Sequence, residues 1–229
     1  MSRAPENHRY ERKFAITDAS LAEVEHCVRQ HPAVFFSEYA PRIINNIYLD
    51  SPDLRNYCQN VNGDSRRAKL RTRWYGQLFG PVPGAVLEQK CKRGHLGTKQ
   101  SARLTPFEFG PCVSAQAVRH WLDTSPLPEN LRHEVRQTEP TLVNRYRRQY
   151  FRSGDRQVRL TIDSDLAFYR FQRHTNSFLT RLEVPALVVL ELKYAEMASE
   201  EAAAVANQLP FRMTRMSKYV FGLQALGSV

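Results

Sequence analysis

Residues 66–75 read RRAKLRTRWY, and their alternation decides the fold prediction. Successive side chains of a β-strand point to opposite faces, so Lys69, Arg71 and Arg73 share one face of a strand here. The other face carries a mostly apolar row. Three like charges in line repel one another unless an anion lies among them. The stretch therefore predicts a strand whose charged face binds an anion.

The same alternation extends to most of the other strand candidates. The charged rows are Arg9, Glu11 and Lys13 in 9–16; Glu88, Lys90 and Lys92 in 85–92; Lys99, Ser101 and Arg103 in 97–105; Arg159, Thr161 and Asp163 in 157–163; and Glu191 and Lys193 in 187–193. In NRYRRQYF, residues 144–151, Arg145 and Arg147 share one face, while Arg148 joins the other.

Two architectures are compatible with these rows. An open antiparallel sheet would present them to solvent and use its other face for the core. A solvated face normally mixes polar residues and both charge signs, however, whereas here cations predominate and the acidic residues Glu11, Glu88 and Glu191 enter singly. A closed barrel with a cationic interior explains this pattern better, with helices covering the apolar exterior.

About eight strands with helices between them indicate an α+β fold, specifically an eight-stranded antiparallel β-barrel with helices packed outside. The region 115–137 is predicted to be helical and interrupted by Pro126 and Pro128, since proline breaks helices. A chain of 229 residues is compatible with one domain, predicted to span 1–229.

The composition restricts the partners and the compartment. Lys and Arg total 33 against 23 Asp and Glu, a formal net charge of +10, which favours nucleic acid, anionic membrane surfaces or phosphate-rich small molecules. No secretory signal or membrane-spanning apolar run is evident. The four cysteines lack CxxC spacing, which argues against a zinc site or a disulfide framework. These features predict a cytoplasmic protein.

Carboxylates among the cations indicate chemistry beyond anion binding. Mg²⁺ and Mn²⁺ prefer carboxylate and phosphate oxygens, and Arg and Lys clamp phosphates while the metal neutralises developing charge. On the charge rows alone, Lys69 and Arg103 are predicted phosphate-binding residues alongside Arg71 and Arg73. Neither a Walker-type nor a dinucleotide-binding glycine motif is present, so side chains would bind the phosphates.

Several stretches of this sequence resemble those of a known family. The matching stretches are RYERKF, IYLDSPDLRNY, KLRTRWYG, LEQKCKRG, TKQSARL, VRLTIDSDL, VLELKY and SKY, in the family's order across residues 9–219. The chain resembles the VTC domain, the catalytic module of the vacuolar transporter chaperone polyphosphate polymerase. That domain is one of the triphosphate tunnel metalloenzymes, together with the CYTH-type triphosphatases.

The resemblance implies an eight-stranded tunnel that binds ATP and inorganic polyphosphate or pyrophosphate, with Mn²⁺ or Mg²⁺ as cofactor and no nucleic acid. By motif, the implied phosphate-binding residues are Lys13, Arg71, Arg73, Lys90, Lys99, Arg145, Arg159 and Lys218, with Lys193 on the face of Glu191. Glu191 is the implied metal ligand, supported by Glu11 or Glu88. The implied catalytic set is Lys13, Arg71, Arg73, Lys90 and Glu191.

Three functions are compatible with this sequence. The related triphosphatases begin with Glu-x-Glu-x-Lys, of which residues 9–13 keep only the second glutamate, and this favours polyphosphate synthesis from ATP with release of ADP. The first alternative is a triphosphatase that hydrolyses tripolyphosphate or nucleoside triphosphates in the same tunnel. The second is a non-catalytic module that binds polyphosphate or nucleic acid. The oligomeric state and any membrane partner are left open.

Overall fold

The computed structural model describes residues 9–93, 96–172, 176–178 and 181–229, which form eleven strands and six α-helices. The strands are β1 Arg9–Ile16, β2 Phe36–Asp50, β3 Arg66–Tyr75, β4 Gly80–Val82, β5 Val86–Arg93, β6 Leu96–Arg103, β7 Phe107–Phe109, β8 Glu139–Arg152, β9 Arg159–Arg170, β10 Arg181–Val184 and β11 Val188–Ala195. The helices are α1 Leu21–Arg29, α2 Arg55–Asn62, α3 Ala115–Thr124, α4 Glu129–Arg136, α5 Ser199–Gln208 and α6 Lys218–Ala225.

Eight strands form one hydrogen-bonded series in the order β1-β11-β9-β8-β2-β3-β5-β6, with β10 beside β9. The ladders with a determined register, such as β1 with β11 and β3 with β5, are antiparallel. The prediction of an α+β fold built on eight antiparallel strands is therefore confirmed. Within the described residues, β1 and β6 at the two ends of the series share no ladder, so hydrogen bonds do not close the barrel.

The chain divides into two compact units. The first contains residues 1–42, 147–166 and 184–216, and the second contains residues 43–146, 167–183 and 217–229. The long strands β2, β8 and β9 each contribute residues to both units. The prediction that 1–229 is a single domain stays a prediction. Across the described ranges, every helix is too short or too polar to cross a lipid bilayer.

The core of the first unit lies on the apolar faces of β1, β9 and β11. Phe14, Ile162 and Leu190 are almost completely buried there and pack with side chains from α1 and α5. Helix α1 begins at a capping box, in which the Ser20 side chain accepts from the Glu23 amide and the Glu23 carboxylate accepts from the Ser20 amide. Helices thus cover the apolar side of these strands, as the sequence predicts.

The core of the second unit lies behind β3. Leu70 and Trp74 are 2% exposed and pack with α3 and α4. These two helices are separated at residues 125–128, where the prolines were predicted to interrupt the helical region. Helix α6 approaches its neighbours closely, since a Cβ atom at Gly222 would lie 2.5 Å from Phe168 and 2.7 Å from Leu142.

Candidate phosphate-binding and metal-binding clusters

Four charged residues of β1 and β11 form one compact group in the first unit, named here the β11 cluster: Glu11, Lys13, Glu191 and Lys193. Antiparallel pairing places Lys13 opposite Glu191 and Glu11 opposite Lys193. The Glu191 carboxylate lies 3.4 Å from Lys13 Nζ and 3.0 Å from Lys193 Nζ. Glu11 lies 3.7 Å from each of the same two ammonium groups. The cluster therefore holds two carboxylates and two lysines on one face.

A buried arginine supports Glu191 from β8. Arg148 Nη2 lies 3.4 Å from Glu191 Oε2, and its guanidinium also donates to both oxygens of Asp163 at 2.6 and 2.7 Å. Asp163 is fully buried, so this two-pronged contact supplies the charge compensation that a buried carboxylate requires. Arg148 is thereby fixed between the two carboxylates and limits how far Glu191 can move.

A second carboxylate of the first unit, Glu38 in β2, holds two arginines. Arg152 donates to Glu38 from both Nε and Nη2, at 2.7 and 2.6 Å. Arg159 is farther, with its Nε 3.9 Å from Glu38 and 45% of its side chain exposed. Arg159 also lies opposite Lys193 in the ladder of β9 and β11. The predicted phosphate-binding residue Arg159 is therefore next to the β11 cluster and accessible to solvent.

In the second unit one carboxylate is surrounded by three cations, a group named here the β3 cluster: Arg71, Arg73, Glu88 and Lys99. Arg71 donates to Glu88 Oε2 from Nε at 2.9 Å and from Nη2 at 2.8 Å, and Arg73 lies 3.5 Å from the same oxygen. Lys99 Nζ donates to Oε1 at 2.6 Å. Both carboxylate oxygens are thus occupied, and positive charge exceeds negative charge in the cluster.

The cations fix the protonation state of this cluster. Burial by itself raises the pKa of Glu88, but Arg71, Arg73 and the hydrogen bond from Lys99 outweigh burial and lower the pKa to about 2. Burial lowers the pKa of Arg71, and its neighbours Tyr48, Glu88 and Tyr146 more than compensate, so that this pKa is raised. Glu88 therefore stays ionised into the acidic range, and Arg71 stays protonated into the alkaline range.

Replacing Glu88 by glutamine should change the acid dependence of stability. The pKa of Glu88 is lower in the folded protein than in the unfolded chain, so its stabilisation is present above about pH 5 and is lost as pH falls toward 2. Between pH 6 and pH 3 the gap in unfolding free energy between wild type and Glu88→Gln should shrink by about 1.5 kcal/mol. Urea unfolding followed by circular dichroism measures this gap, with exposed Glu108→Gln as control. A gap that does not change with pH would contradict the assignment.

Two buried asparagines extend the β3 cluster. Arg73 Nε donates to Asn46 Oδ1 at 3.1 Å, and Asn46 Nδ2 donates to Asn144 Oδ1 at 2.8 Å. Because a guanidinium only donates, Arg73 fixes the orientation of both amides. Asn144 Nδ2 is buried without a partner among the described residues. Asn46 therefore holds Arg73 through Nε, while Arg73 Nη1 faces Glu88.

Lysines occupy the neighbouring positions of the same strands. Lys90 of β5 lies opposite Lys69 of β3 and opposite Lys99 of β6, so three lysines lie side by side across the sheet. Lys69 Nζ donates to the Ser217 hydroxyl at 2.9 Å, and Lys218 Nζ lies 4.8 Å from the centre of the Tyr146 ring. The strands that carry the β3 cluster thus also carry Lys69 and Lys90, and Lys218 lies at the start of α6 in the same unit.

The remaining predicted phosphate-binding residues, Arg103 and Arg145, belong to neither the β3 cluster nor the β11 cluster. Arg103 is exposed on β6, opposite Val86. Arg145 is half-buried and lies between Asn144 and Tyr146 in β8, so strand alternation turns it to the face opposite theirs. No functional role is predicted from the sequence for Arg148, Asp163, Glu38, Asn46 or Asn144. Two of these residues are marked by the strand pattern. Arg148 falls on the opposite strand face from Arg145, and Asp163 shares a charged face with Arg159.

The β11 cluster has the donors that a divalent cation requires. Glu11 and Glu191 contact the same two lysines, so their carboxylates are close together. Mg²⁺ is usually held by one or two carboxylates together with substrate phosphates. In the described part of the chain, no group of three or more His, Cys, Asp or Glu is arranged to hold a metal. The residues therefore fit a cation shared between two carboxylates and a phosphate ligand.

Two solved structures of other proteins are similar to this chain in fold. A protein from Hippeastrum proposed as an adenylyl cyclase, and described as having a dominant triphosphatase activity, has 13% identity, covers 94% of this chain and 95% of its own, and has a TM-score of 0.52. A protein from Vibrio parahaemolyticus, also proposed as an adenylate cyclase, has 11% identity, covers 96% and 98%, and has a TM-score of 0.51.

At such identities these similarities show the fold alone, which is the triphosphate tunnel fold predicted from the sequence. Among curated protein sequences, none matches this chain. The VTC domain model matches residues 8–227, almost the entire sequence. The chain therefore belongs to the VTC domain family.

Proposed function

We propose that this protein is a metal-dependent polyphosphate polymerase that transfers the terminal phosphate of ATP to a growing polyphosphate chain. The observation that carries the proposal is the β3 cluster, in which the single carboxylate Glu88 is surrounded by Arg71, Arg73 and Lys99. This surplus of positive charge suits a ligand that carries a negative charge on every repeating unit. The family membership supports the same class of substrate.

The β3 cluster is proposed to bind the anionic chain. Guanidinium groups bind phosphate oxygens in pairs, and Arg71 and Arg73 are already oriented by Glu88 and Asn46. Lys99 has more than half of its side chain exposed, so it can meet an incoming phosphate first. Glu88 keeps the three cations close together when no phosphate lies among them, which limits the cost of their mutual repulsion.

The β11 cluster is proposed to carry the chemistry. Glu11 and Glu191 would hold Mg²⁺ or Mn²⁺, and the bound cation would neutralise charge on the transferring phosphate. Lys13 and Lys193 now contact these carboxylates at 3.0–3.7 Å, and their ammonium groups would turn to phosphate oxygens. Arg148 keeps Glu191 in place while this exchange occurs.

The proposed reaction is a phosphoryl transfer without a protein nucleophile. An oxygen of the acceptor phosphate forms a bond to the γ-phosphorus of ATP, the bond from the γ-phosphorus to the β,γ-bridging oxygen breaks, and ADP leaves with the electron pair. Lys13 and Lys193 contribute by positioning the two phosphate groups in line and by stabilising the negative charge of the transition state.

³¹P NMR of the purified protein with ATP and Mn²⁺, with and without pyrophosphate as a primer, tests the proposal. We expect a growing signal from internal chain phosphates together with ADP. Orthophosphate and ADP without a chain signal would identify a triphosphatase instead. Unchanged ATP under both conditions would favour a non-catalytic binding module.

A triphosphatase is the second candidate, and the pair Glu11 and Glu191 is the observation that favours it. Two neighbouring carboxylates that hold a metal also suit a site where water is the nucleophile. The two reactions differ in the acceptor, so the ratio of chain phosphate to orthophosphate decides between them. A non-catalytic polyphosphate or nucleic-acid module accounts for the basic charge but assigns no role to these carboxylates.

A further inference from the structure

Two tyrosines and an arginine are in contact in the first unit and form a group named here the Tyr39 platform: Tyr39, Arg42 and Tyr150. The Arg42 guanidinium lies 5.5 Å from the centre of the Tyr39 ring and 5.7 Å from that of Tyr150. The two rings are 5.7 Å apart and perpendicular. Aromatic rings and guanidinium planes are the surfaces on which nucleobases stack in proteins.

The platform lies next to the proposed catalytic residues along β8. Tyr150 is two residues after Arg148, so both side chains point to the same face, with backbones about 7 Å apart. Arg148 in turn contacts Glu191 of the β11 cluster at 3.4 Å. A nucleotide whose phosphates reach the β11 cluster therefore has an aromatic surface within reach of its base.

The exposure of the platform leaves one ring open to a ligand. Tyr39 is 50% exposed although it is a large aromatic residue, and nearby Phe36 is 41% exposed. Arg42 and Tyr150 each contact the Tyr39 ring, and half of the residue remains exposed to solvent. Tyr10 and Tyr194 of the same unit have stacked rings, but they lie on the apolar side of β1 and β11 and point away from the β11 cluster.

We propose that Tyr39, Arg42 and Tyr150 form a nucleobase-binding platform on which the base of a nucleoside triphosphate stacks. The inference rests on the proposed function, because it assumes that the phosphates of the same nucleotide enter the β11 cluster. Stacking uses the π face that every base has, so the platform binds a purine without hydrogen bonds to the edge of the base. ATP and GTP should therefore bind with similar affinity, and the pyrimidine nucleotide CTP should bind more weakly.

Comparing a ligand with a base and a ligand without one tests this site directly. We expect Tyr39→Ala to weaken ATP binding by about 10-fold, the value of one stacked base, and to leave tripolyphosphate binding within about twofold. Isothermal titration calorimetry with both ligands measures the two effects. Tyr39→Phe keeps the ring and should bind ATP like wild type. Tyr75→Ala, equally exposed at 50% but located at the end of β3, is the matched control.

The outcomes separate this inference from the proposed polymerase activity. Loss of ATP affinity without loss of tripolyphosphate affinity supports the platform, even if the protein makes no polyphosphate. Equal losses for ATP and tripolyphosphate would overturn it, because the effect would then concern the phosphates or the fold. Unchanged ATP affinity in Tyr39→Ala, or a similar loss in Tyr75→Ala, would also overturn it. Circular dichroism verifies that each variant is folded.

Discussion

Replacing Glu191 by glutamine is expected to reduce turnover of ATP by at least about 100-fold, equivalent to ~3 kcal/mol of transition-state stabilisation. Glu191 is 5% exposed and contacts Lys13, Lys193 and Arg148. Glutamine has nearly the same shape but no negative charge, so the site loses a metal ligand while its geometry is retained. Initial rates of ADP release with Mn²⁺ or Mg²⁺ measure the loss.

Anion binding should respond in the opposite direction. With the charge of Glu191 removed, Lys13 and Lys193 are less neutralised, so tripolyphosphate should bind equally well or more tightly in the absence of metal. Calorimetric titration in EDTA measures this affinity. Glu196→Gln is the matched control, since Glu196 follows the same strand, is exposed and accepts a hydrogen bond from Tyr10.

Two results would contradict the assignment of Glu191. Turnover that survives in Glu191→Gln would mean that this carboxylate does not hold the metal. Loss of both turnover and tripolyphosphate binding would indicate a structural role, because removing one partner of a buried ion pair can disrupt its surroundings. The unfolding free energy of the variant distinguishes local disruption from loss of chemistry.

Strand alternation predicted the faces of the sheet because the period of a strand is fixed at two. One residue decides the whole row: Leu70 is buried at 2%, so Lys69, Arg71 and Arg73 must lie on the other side. The same rule placed Glu191 and Lys193 together. Alternation within a strand is a local property, so the faces of a strand can be predicted without knowledge of the tertiary structure.

Alternation could not determine which charged side chains contact one another, because that depends on strand order and register. The contact of Glu88 with Arg71 arises from the pairing of β3 with β5, and the contact of Arg148 with Glu191 joins residues 43 positions apart. In NRYRRQYF both faces carry arginine, so the pattern could not select between Arg145 and Arg148. The amide chain from Arg73 through Asn46 to Asn144 gave no sequence signal, since uncharged asparagines do not mark a charged row.

Replacing Asp50 by alanine is expected to cost about 3–5 kcal/mol of unfolding free energy. Asp50 is fully buried at the end of β2 and accepts five hydrogen bonds, the longest of them from the Ser51 hydroxyl at 3.5 Å. Its Oδ1 accepts from the amides of Ser51 and Asn56, and its Oδ2 accepts from the amide of Tyr57 and the hydroxyl of Tyr219. Alanine would leave these donors buried without an acceptor.

Asp50 has this large effect because it joins two helices of the second unit. The Asn56 and Tyr57 amides belong to the first turn of α2, whose N-cap Leu54 provides no side-chain acceptor. The Tyr219 hydroxyl, 2.6 Å from Asp50, belongs to α6, and burial together with this carboxylate raises the pKa of Tyr219. Asp50 therefore replaces the missing cap of α2 and fixes the beginning of α6.

The contact between Asp50 and Tyr219 also bears on the position of Lys218. Lys218, a predicted phosphate-binding residue, precedes Tyr219 at the first position of α6. Tyr219→Phe removes only the hydroxyl and should cost about 1–2 kcal/mol of unfolding free energy. Urea unfolding of both single variants and of the double variant measures the coupling. If the carboxylate and the hydroxyl act together, the double variant loses less than the sum of the single losses. Strict additivity would show that the carboxylate and the hydroxyl do not stabilise the fold through their shared hydrogen bond.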